Sequence, residues 1–340
     1  MFTMRKIIAL ISFAFILCSI CYVGCSRFQT HCNSIIFQQY DTIAWSPYLN
    51  KPHLTSIHDF FVQDSIIYIL GLVNHYWLRT YSAIDGRFLD KYISYGNNYD
   101  EIENGFFMYF RKDIKTINIF DINTMRLKEY DSNFSYVNYS CLSEKINCIS
   151  PITDNKYLIL VPKMINGAFQ NSYIHKIING STGEILSTYC PKNISNEIKN
   201  LLIKKLTVSP NGRNYALIYQ HYGELSLYDI SNDSINLTHS HKYIQTKLET
   251  ENGCPIIKSN SPYGFRHVTC SNDFVYAIFS DENNTSKTNK IGIWNWNGVP
   301  IKLIVTDKNI LKIAISSEMK RIIAIIGDTS NGYTLSHIDL

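Results

Sequence analysis

The pair His239-Ser240-His241 has the spacing in this chain that most readily suggests metal chemistry. Residues two apart on a β-strand point to the same face, so these two imidazoles are able to share one ion. No third ligand is adjacent in sequence, and an exposed outer strand explains both side chains equally well. Beyond Cys25, no C-x-x-C motif or Cys/His spacing typical of zinc is present. We therefore predict no metal and no cofactor.

Two groups of carboxylates are candidates for acid–base chemistry on a carbohydrate. Asp100, Glu101 and Glu103 form one group, and Asp281 and Glu282 form the other. Glycoside hydrolysis needs two carboxyl groups facing each other at roughly 5–10 Å, a geometry that neighbours in one loop seldom provide. The chain also has no G-x-S-x-G, H-E-x-x-H or phosphate-loop motif. We therefore predict no catalytic residue. A carbohydrate-active enzyme, a glycoside hydrolase or lyase, remains the alternative to a binding module.

The elements that must position any site are short strands in a recurring unit. Its first half is a strand, a tight turn and a very apolar strand, as in Val208–Gly212 followed by Tyr215–Ile218. Its second half is an alternating strand that ends in a polar turn and runs into another strand, as in Ile293–Leu303. The period is about 45–50 residues, within the range of propeller arrays. Units that begin near residues 56, 104, 146, 205, 265 and 310 give six blades, and a pair of β-sandwiches is the alternative.

The two ends of the chain complement each other. The last unit stops after its third strand at Asp339, and a lone strand-like segment, Ser34–Tyr40, precedes the first unit. An N-terminal strand that pairs with the C-terminal strands would remove the open sheet edges. We predict an all-β six-bladed propeller over residues 33–340, closed by an N-terminal strand.

Loops that are longer than the turns are predicted to share one face of this propeller. They span about residues 94–104, 131–145, 163–171, 190–204, 243–262 and 281–289. Long loops on a rigid scaffold are where recognition usually occurs. The residues predicted at or near this rim, and hence predicted to bind ligand, are His75, Tyr76, Tyr99, Phe169, His221, Tyr222, Tyr263 and Arg266.

The composition argues against nucleic-acid binding. The 340 residues are 45% hydrophobic, which is enough for a packed core, and the formal net charge is +4. Nucleic-acid binding needs clustered Lys and Arg rather than this near balance, so we predict no nucleic-acid partner. The nearest approach to a basic run is Lys204-Lys205, which we interpret as a solvated strand edge.

The cysteines leave two interpretations open. Beyond Cys25 the chain contains Cys32, Cys141, Cys148, Cys190, Cys254 and Cys270. An even number permits disulfides in an oxidising compartment, and six cysteines allow 15 pairings. Free buried thiols that behave as small apolar side chains are the other interpretation.

The N-terminus reads as an export signal. Arg5 and Lys6 precede an uncharged apolar stretch, Ile7–Gly24, and Cys25 follows it. Val23-Gly24-Cys25 resembles the lipobox of bacterial lipoproteins, with Tyr22 where leucine is usual. We predict a cleaved signal peptide over residues 1–24, a lipid on Cys25 and a short linker over residues 25–32. An ordinary signal peptide and an uncleaved anchor are the alternatives. Because no acidic run follows the cysteine, we expect an outer-membrane protein that faces the periplasm.

The whole chain beyond the anchor resembles the TolB-like six-bladed propeller lipoproteins of Bacteroides and relatives. The resemblance is carried by the recurring unit, the turn Trp294–Gly298 and the closing unit Ile310–Asp339. Members of that family often carry a Gly/Pro-rich segment that ends in Glu after the first blade. Residues 96–101 match it without the second Gly and the Pro. The resemblance implies an exported, non-enzymatic propeller. We therefore predict a lipid-anchored cell-envelope module that binds or scaffolds an envelope protein or glycan through its long-loop face, with a purely structural envelope protein as a further possibility.

Overall fold

A computed structural model describes residues 35–340 except 112–114, 143, 154, 166–167, 192–203, 221, 246, 252–253, 259, 282–287 and 329–331. The predicted signal peptide, Cys25 and the linker lie outside the described residues. The described residues form 27 β-strands, β1 to β27, and contain no helix. None of the described segments is therefore a helix long and apolar enough to span a membrane.

Six antiparallel sheets form the blades, named one to six in chain order. Blade one comprises β3 (Asp59–Gln63), β4 (Ile66–Val73), β5 (Tyr76–Ser82) and β6 (Phe88–Ser94). Blade two comprises β7 (Gly105–Arg111), β8 (Thr116–Asp121), β9 (Arg126–Tyr130) and β10 (Tyr136–Cys141). Blade three comprises β11 (Cys148–Thr153), β12 (Lys156–Ile165), β13 (Ala168–Asn179) and β14 (Ile185–Tyr189).

The second half of the chain continues this pattern. Blade four comprises β15 (Lys204–Val208), β16 (Asn214–Tyr219), β17 (Glu224–Ser231) and β18 (Ser234–Lys242). A separate hairpin follows, formed by β19 (Leu248–Glu251) and β20 (Cys254–Ile257). Blade five comprises β21 (Gly264–Cys270), β22 (Phe274–Ser280), β23 (Lys290–Asn295) and β24 (Pro300–Thr306). Blade six comprises β25 (Ile310–Ser316), β26 (Arg321–Asp328) and β27 (Gly332–Asp339). The predicted all-β six-bladed propeller is confirmed, and the strands that begin the blades lie within three residues of the predicted unit starts.

The first strand of every blade lies innermost. These six strands, β3, β7, β11, β15, β21 and β25, contact one another in ring order, and β25 contacts β3 to close the circle. Each innermost strand follows a connection from the previous blade, so all six run in the same direction along a central channel. The connections between blades and those between second and third strands lie on one face, here called the loop face. The first-to-second and third-to-fourth turns lie on the opposite face, here called the turn face.

The segment before blade one adds strands to the last two blades. β1 (Gln39–Ile43) pairs in parallel with β24 as a fifth strand of blade five. β2 (Ser46–Pro47) pairs antiparallel with β27 and supplies the fourth strand of blade six. Pairing with the C-terminal strand is thus made by residues 46–47 rather than by the predicted segment 34–40. Tyr48 then donates a hydrogen bond of 3.0 Å to the carbonyl of Ala83 in blade one, which ties blade six to blade one.

The hydrophobic core is divided among the interfaces between blades. Leu160 of blade three packs in one cluster with Leu217 of blade four. Ile69 of blade one packs with Ile323 of blade six and with Leu54, which is 1% exposed. Burial of large apolar side chains between neighbouring sheets is the dominant stabilising contribution in this architecture.

Two turn glycines are required by both conformation and space. Gly86 and Gly298 have φ angles of 74° and 78°, which L side chains rarely adopt. A Cβ on Gly298 would lie 2.3 Å from the His239 ring, and one on Gly86 would lie 2.5 Å from Tyr48. A two-residue type I′ hairpin turn would need positive φ at both central residues, here Asp85 and Gly86 or Asn297 and Gly298. In each turn only the glycine of the pair has it, because the connections are longer than two residues.

Three of the predicted long loops contain strands, and the stretch 243–262 holds the hairpin of β19 and β20. The stretch 163–171 is mostly strand, since β12 extends to Ile165 and β13 begins at Ala168. The stretch 131–145 contains all of β10. The strands there are extended by pairing with their neighbours, which local composition does not reveal.

Candidate functional site

The central channel contains a cavity of about 420 Å³ lined by the six innermost strands. This volume is in the range of small-molecule sites. Its charged lining residues are confined to one end. Asp59, Lys205 and Lys312 all lie near the start of their strands, at the loop face, together with His58 and His267.

Two β-bulges position the basic side chains. The pairing of β21 with β22 shifts between Phe265 and His267, so Arg266 is an extra residue in the ladder. The pairing of β25 with β26 shifts in the same way just before Lys312. A bulge turns the following side chain relative to a regular strand and is a common device beside binding sites. Arg266 and Lys312 therefore depart from the register that simple alternation would give them.

Lys312 and Asp59 are held by hydrogen bonds from neighbouring blades. The Lys312 ammonium donates to the carbonyl of His58 at 2.9 Å and lies 3.8 Å from a carboxylate oxygen of Asp59. The Asp59 carboxylate also accepts the backbone N–H of Met108 at 2.9 Å and that of Phe60 at 2.9 Å. His58 in turn contacts the carbonyl of Gly105 through Nδ1 at 2.9 Å. Asp59 therefore accepts two backbone hydrogen bonds and has the Lys312 ammonium at ion-pair distance.

The other two cations, Lys205 and Arg266, have less negative charge beside them. Arg266 donates from Nη1 to the hydroxyl of Thr288 at 3.2 Å, and Thr288 donates onward to the carbonyl of Ile310 at 3.0 Å. Among the residues that the structure describes, neither Lys205 nor Arg266 forms an ion pair. In the described channel lining Asp59 is the one carboxylate, and Lys205 and Lys312 are the cations; Arg266 lies outside the lining but near enough to lower the pKa of Lys312 and of His267.

The electrostatic consequence appears in two pKa shifts. Burial lowers the pKa of Lys312 to about 8; Asp59 opposes this shift, and Lys205 and Arg266 reinforce it. Burial also lowers the pKa of His267 well below its usual range, and the positive charges of Lys312, Lys205 and Arg266 lower it further. Burial is the larger cause of both shifts, and the neighbouring positive charges act in the same direction.

The two halves of this entrance differ in chemistry. Blades four, five and six contribute Lys205, Arg266 and Lys312. The corresponding parts of blades two and three contribute Phe107 and Ile149 to the channel lining. A molecule that enters would meet positive charge on one side and apolar surface on the other.

The eight predicted ligand residues do not form a single cluster in the described part of the chain. His75 and Tyr76 lie at the loop-face turn of blade one, and the Lys91 ammonium lies 4.3 Å from the Tyr76 ring centroid. Tyr99 is 64% exposed and packs edge-to-face on Tyr136 of blade two at 5.2 Å. These three therefore lie on the predicted face but have their contacts in blades one and two.

The remaining five divide into a described group and an undescribed one. Tyr222 lies in the loop-face turn of blade four, with the Lys242 ammonium 4.0 Å from its ring centroid. Tyr263 hydrogen-bonds with Gln220 of the same turn, and Arg266 follows Tyr263 closely in β21. The backbone of Phe169 lies in β13, its side chain falls outside the description, and so does all of His221. Among the predicted residues, Arg266 is the one placed beside the channel cations.

Sequence analysis missed Asp59, Lys205, His267 and Lys312. The interpretation of Lys204-Lys205 as a solvated strand edge is wrong for Lys205, which lines the channel on an innermost strand. A usable signal was present, because basic residues occur near the start of three consecutive innermost strands. Aligning the six unit starts and comparing charge at the second to fourth positions would have shown it.

The other candidate groups have structural roles. His239 contacts the Tyr243 hydroxyl through Nε2 at 3.1 Å and packs against the blade-five turn at Gly298. Glu101 accepts the backbone N–H of Asn98 at 3.1 Å within its own loop. The buried Lys128 donates to the carbonyl of Asn98 at 3.1 Å and to that of Glu101. The described residues contain no group of three or more His, Cys, Asp or Glu side chains that would hold a metal.

The described channel lining does not supply the carboxylate pair that the alternative enzyme requires. Asp59 is the carboxylate in that lining, and glycoside hydrolysis needs a second one across from it. Among the described cysteines, Cys141 and Cys190 are exposed with free thiols, and Cys270 is buried with a free thiol. Cys32 lies outside the described residues.

Comparison with known proteins gives the family. A family model for the TolB-like 6-blade propeller-like proteins matches residues 42–318. The chain has no significant sequence match among curated proteins.

A protein of Bacteroides fragilis to which export has been attributed is similar in structure, with a TM-score of 0.59 and 11% identity over 89% of this chain and 99% of that one. The calcium-binding protein regucalcin of Agrobacterium tumefaciens has a TM-score of 0.53 and 10% identity over 88% and 95% of the two chains. At these identities the structural likeness shows the fold alone. The family match covers most of the chain, and the chain belongs to the TolB-like six-bladed propeller family.

Proposed function

We propose that this protein is a lipid-anchored, non-enzymatic binding module of the cell envelope that recognises its partner or ligand through the loop face. The observation that carries the proposal is the concentration of charge at the loop-face end of the channel. Lys205, Arg266 and Lys312 are gathered there by three different blades. A merely structural propeller has no need of cations placed together at the edge of a cavity.

Location in the envelope is supported by the sequence and by the fold comparison. The N-terminal pattern of Arg5, Lys6, an apolar stretch and Cys25 is that of a lipoprotein signal. The similar Bacteroides fragilis protein, to which export has been attributed, is consistent with the same compartment. The intact mass of the mature protein tests the anchor directly. We expect a chain that begins at Cys25 with its acyl groups, and an unmodified N-terminus would overturn the lipid attachment.

Recognition through the loop face is tested by charge reversal on each face in turn. Arg266→Glu together with Tyr99→Asp alters the loop face, and Ile84→Asp alters the turn face at a residue that is 70% exposed. Each protein, with its lipid signal intact, is purified from envelope membranes after crosslinking. We expect the loop-face variant to lose the molecules retained by the wild type and the turn-face variant to keep them, with equal melting temperatures. An unchanged set of crosslinked molecules in the loop-face variant would contradict the proposal.

A further inference from the structure

The loop-face end of the channel brings three cations together without enough negative charge to balance them. Lys205, Arg266 and Lys312 come from the innermost strands of three consecutive blades. The carboxylate beside them in the described lining is Asp59. Asp59 already accepts hydrogen bonds from two backbone N–H groups, and it also lies near the Lys312 ammonium. The described part of this entrance therefore carries an excess of positive charge.

This arrangement is unfavourable for the empty protein. Like charges at close range repel, and the repulsion grows in a partly desolvated cavity because the effective dielectric constant falls. The Lys312 side chain is 12% exposed, so water screens it little. Lysines placed for solubility alone would lie on the outer strands, where the chain has ample exposed surface. Their convergence on the channel is explained if a negative group binds between them.

A second, independent observation lies among the same residues. His267 Nδ1 is buried and has no hydrogen-bond partner among the described residues. Native proteins pair nearly all buried polar atoms, so this nitrogen is an unsatisfied polar group in a residue of the cavity wall. His267 is adjacent in sequence to Arg266 and responds electrostatically to Lys205 and Lys312.

The dimensions and the opposite wall limit the ligand further. A cavity of about 420 Å³ fits a small organic molecule and excludes a folded partner. Phe107 and Ile149 of blades two and three contribute uncharged lining, although their side chains also pack in the core between these blades, so this side of the cavity suits an apolar part of a ligand. Arg266 offers a planar fork suited to a carboxylate or phosphate, and the two lysines add point charges.

We propose that the loop-face end of the central channel binds a small organic anion, whose carboxylate or phosphate lies among Lys205, Arg266 and Lys312 and whose apolar part lies against blades two and three. This inference deepens the proposed function by naming the ligand class at the loop face, and it rests on that proposal. A carboxylate and a phosphate share the required chemistry, and the experiment distinguishes them.

The test uses isothermal titration calorimetry on the mature protein with three probes. Benzoate carries a carboxylate and an apolar ring, benzamide is its neutral counterpart, and inorganic phosphate carries charge without the apolar part. We expect benzoate to bind, benzamide not to bind at millimolar concentration, and benzoate binding to weaken with added salt. Tighter binding of phosphate than of benzoate would assign the site to a phosphate group. Failure of both anions at millimolar concentration would overturn the inference.

Matched variants localise the binding. Lys205→Met and Lys312→Met should each weaken benzoate binding by roughly tenfold or more, because each removes one charge-assisted contact. Lys205→Arg should restore most of it by keeping the charge. Lys145→Met is the control, since Lys145 is exposed in a loop-face connection and does not line the channel. Equal benzoate binding by the Lys205→Met and Lys145→Met proteins would contradict the site.

The outcomes separate the two proposals. If no anion binds but the loop-face charge reversal still removes the crosslinked molecules, the anion site is wrong and loop-face recognition stands. If benzoate binds in the channel but the loop-face variant retains its crosslinked molecules, the ligand site stands and partner recognition through that face is wrong.

Discussion

The two ends of the central channel are built from the same six strands but differ in charge. At the loop-face end the lining includes Asp59, Lys205 and Lys312. At the turn-face end the described lining consists of uncharged residues, among them Ser209 and Cys270. The fold needs neither arrangement in particular, because both ends are enclosed by the same ring. The difference in charge is the basis for the proposed anion site at the loop-face end.

The largest expected effect is on thiol reactivity at the turn-face end, measured against an exposed thiol outside the channel. Burial raises the pKa of Cys270 to about 12, whereas cations near a thiol would lower it. The thiolate is the reactive form, so at pH 8 Cys270 should react with iodoacetamide about 100-fold or more slowly than the exposed Cys141. Peptide-resolved mass spectrometry over time measures both rates. Comparable rates would mean that positive charge or solvent reaches the turn-face end.

The next largest effect is on stability at the charged end. Asp59→Ala should lower the free energy of unfolding by about 2–4 kcal/mol, because two backbone N–H groups lose their acceptor and Lys312 loses its ion-pair partner. At the uncharged end, Ser209 Oγ accepts the backbone N–H of Asn214 at 3.0 Å. Ser209→Ala should lower the free energy of unfolding by about 1 kcal/mol. Urea unfolding measures both.

Asp59→Asn separates charge from hydrogen bonding in that comparison. The amide oxygen keeps an acceptor for the backbone while the negative charge is lost, so a smaller decrease than for Asp59→Ala is expected. If Ser209→Ala lowers the free energy of unfolding more than Asp59→Ala does, then electrostatic interactions at the loop-face end do not have the importance for stability that we give them.

Anion binding should depend on pH in a direction set by Lys312. The pKa of Lys312 is about 8 in the anion-free protein, and a bound anion favours the protonated form and raises it. Affinity should therefore be nearly constant between pH 6 and 7.5 and fall above pH 8, by at most about tenfold per pH unit. His58, Asp59, Lys205, Arg266 and His267 surround Lys312, and the Lys312→Met variant isolates its part. A pH dependence of the same slope in that variant would assign it to another of these groups.

The smallest expected effect is on stability when an uncompensated cation is removed. Lys205→Met should leave the free energy of unfolding unchanged within about 1 kcal/mol, or raise it slightly, because repulsion with Lys312 is relieved. Thermal unfolding without anion measures this change, and Lys145→Met is again the control. A marked loss of stability would show that Lys205 has a structural partner that the account omits.

The sequence predicted the ring better than the site because the two depend on different information. The blades can be predicted from local sequence patterns, such as the apolar strand Tyr215–Ile218 after the turn at Asn211-Gly212. These patterns repeat with the period of the fold. The site depends on which residues, from strands far apart in the sequence, lie at the same height along the channel. The bulges before His267 and Lys312 shift the residue found at a given height by one position.

The same reasoning explains why the closing strand was misplaced. Residues 34–40 look more strand-like than Ser46-Pro47, and a proline is an unusual member of a sheet. β2 is the outermost strand of blade six, so it has a neighbouring strand on one side only. Pro47 is tolerated there because an edge strand does not need every backbone N–H for pairing. Edge tolerance is a tertiary property, and no local pattern encodes it.

A crystal structure with bromobenzoate tests the central claim most directly. The bromine gives an anomalous signal that fixes both the position and the orientation of the molecule in the channel. The account predicts one strong bromine peak within the channel, with the carboxylate directed at Lys205, Arg266 and Lys312 and the ring against blades two and three. A peak only at the turn-face end, or only outside the ring of innermost strands, would contradict it.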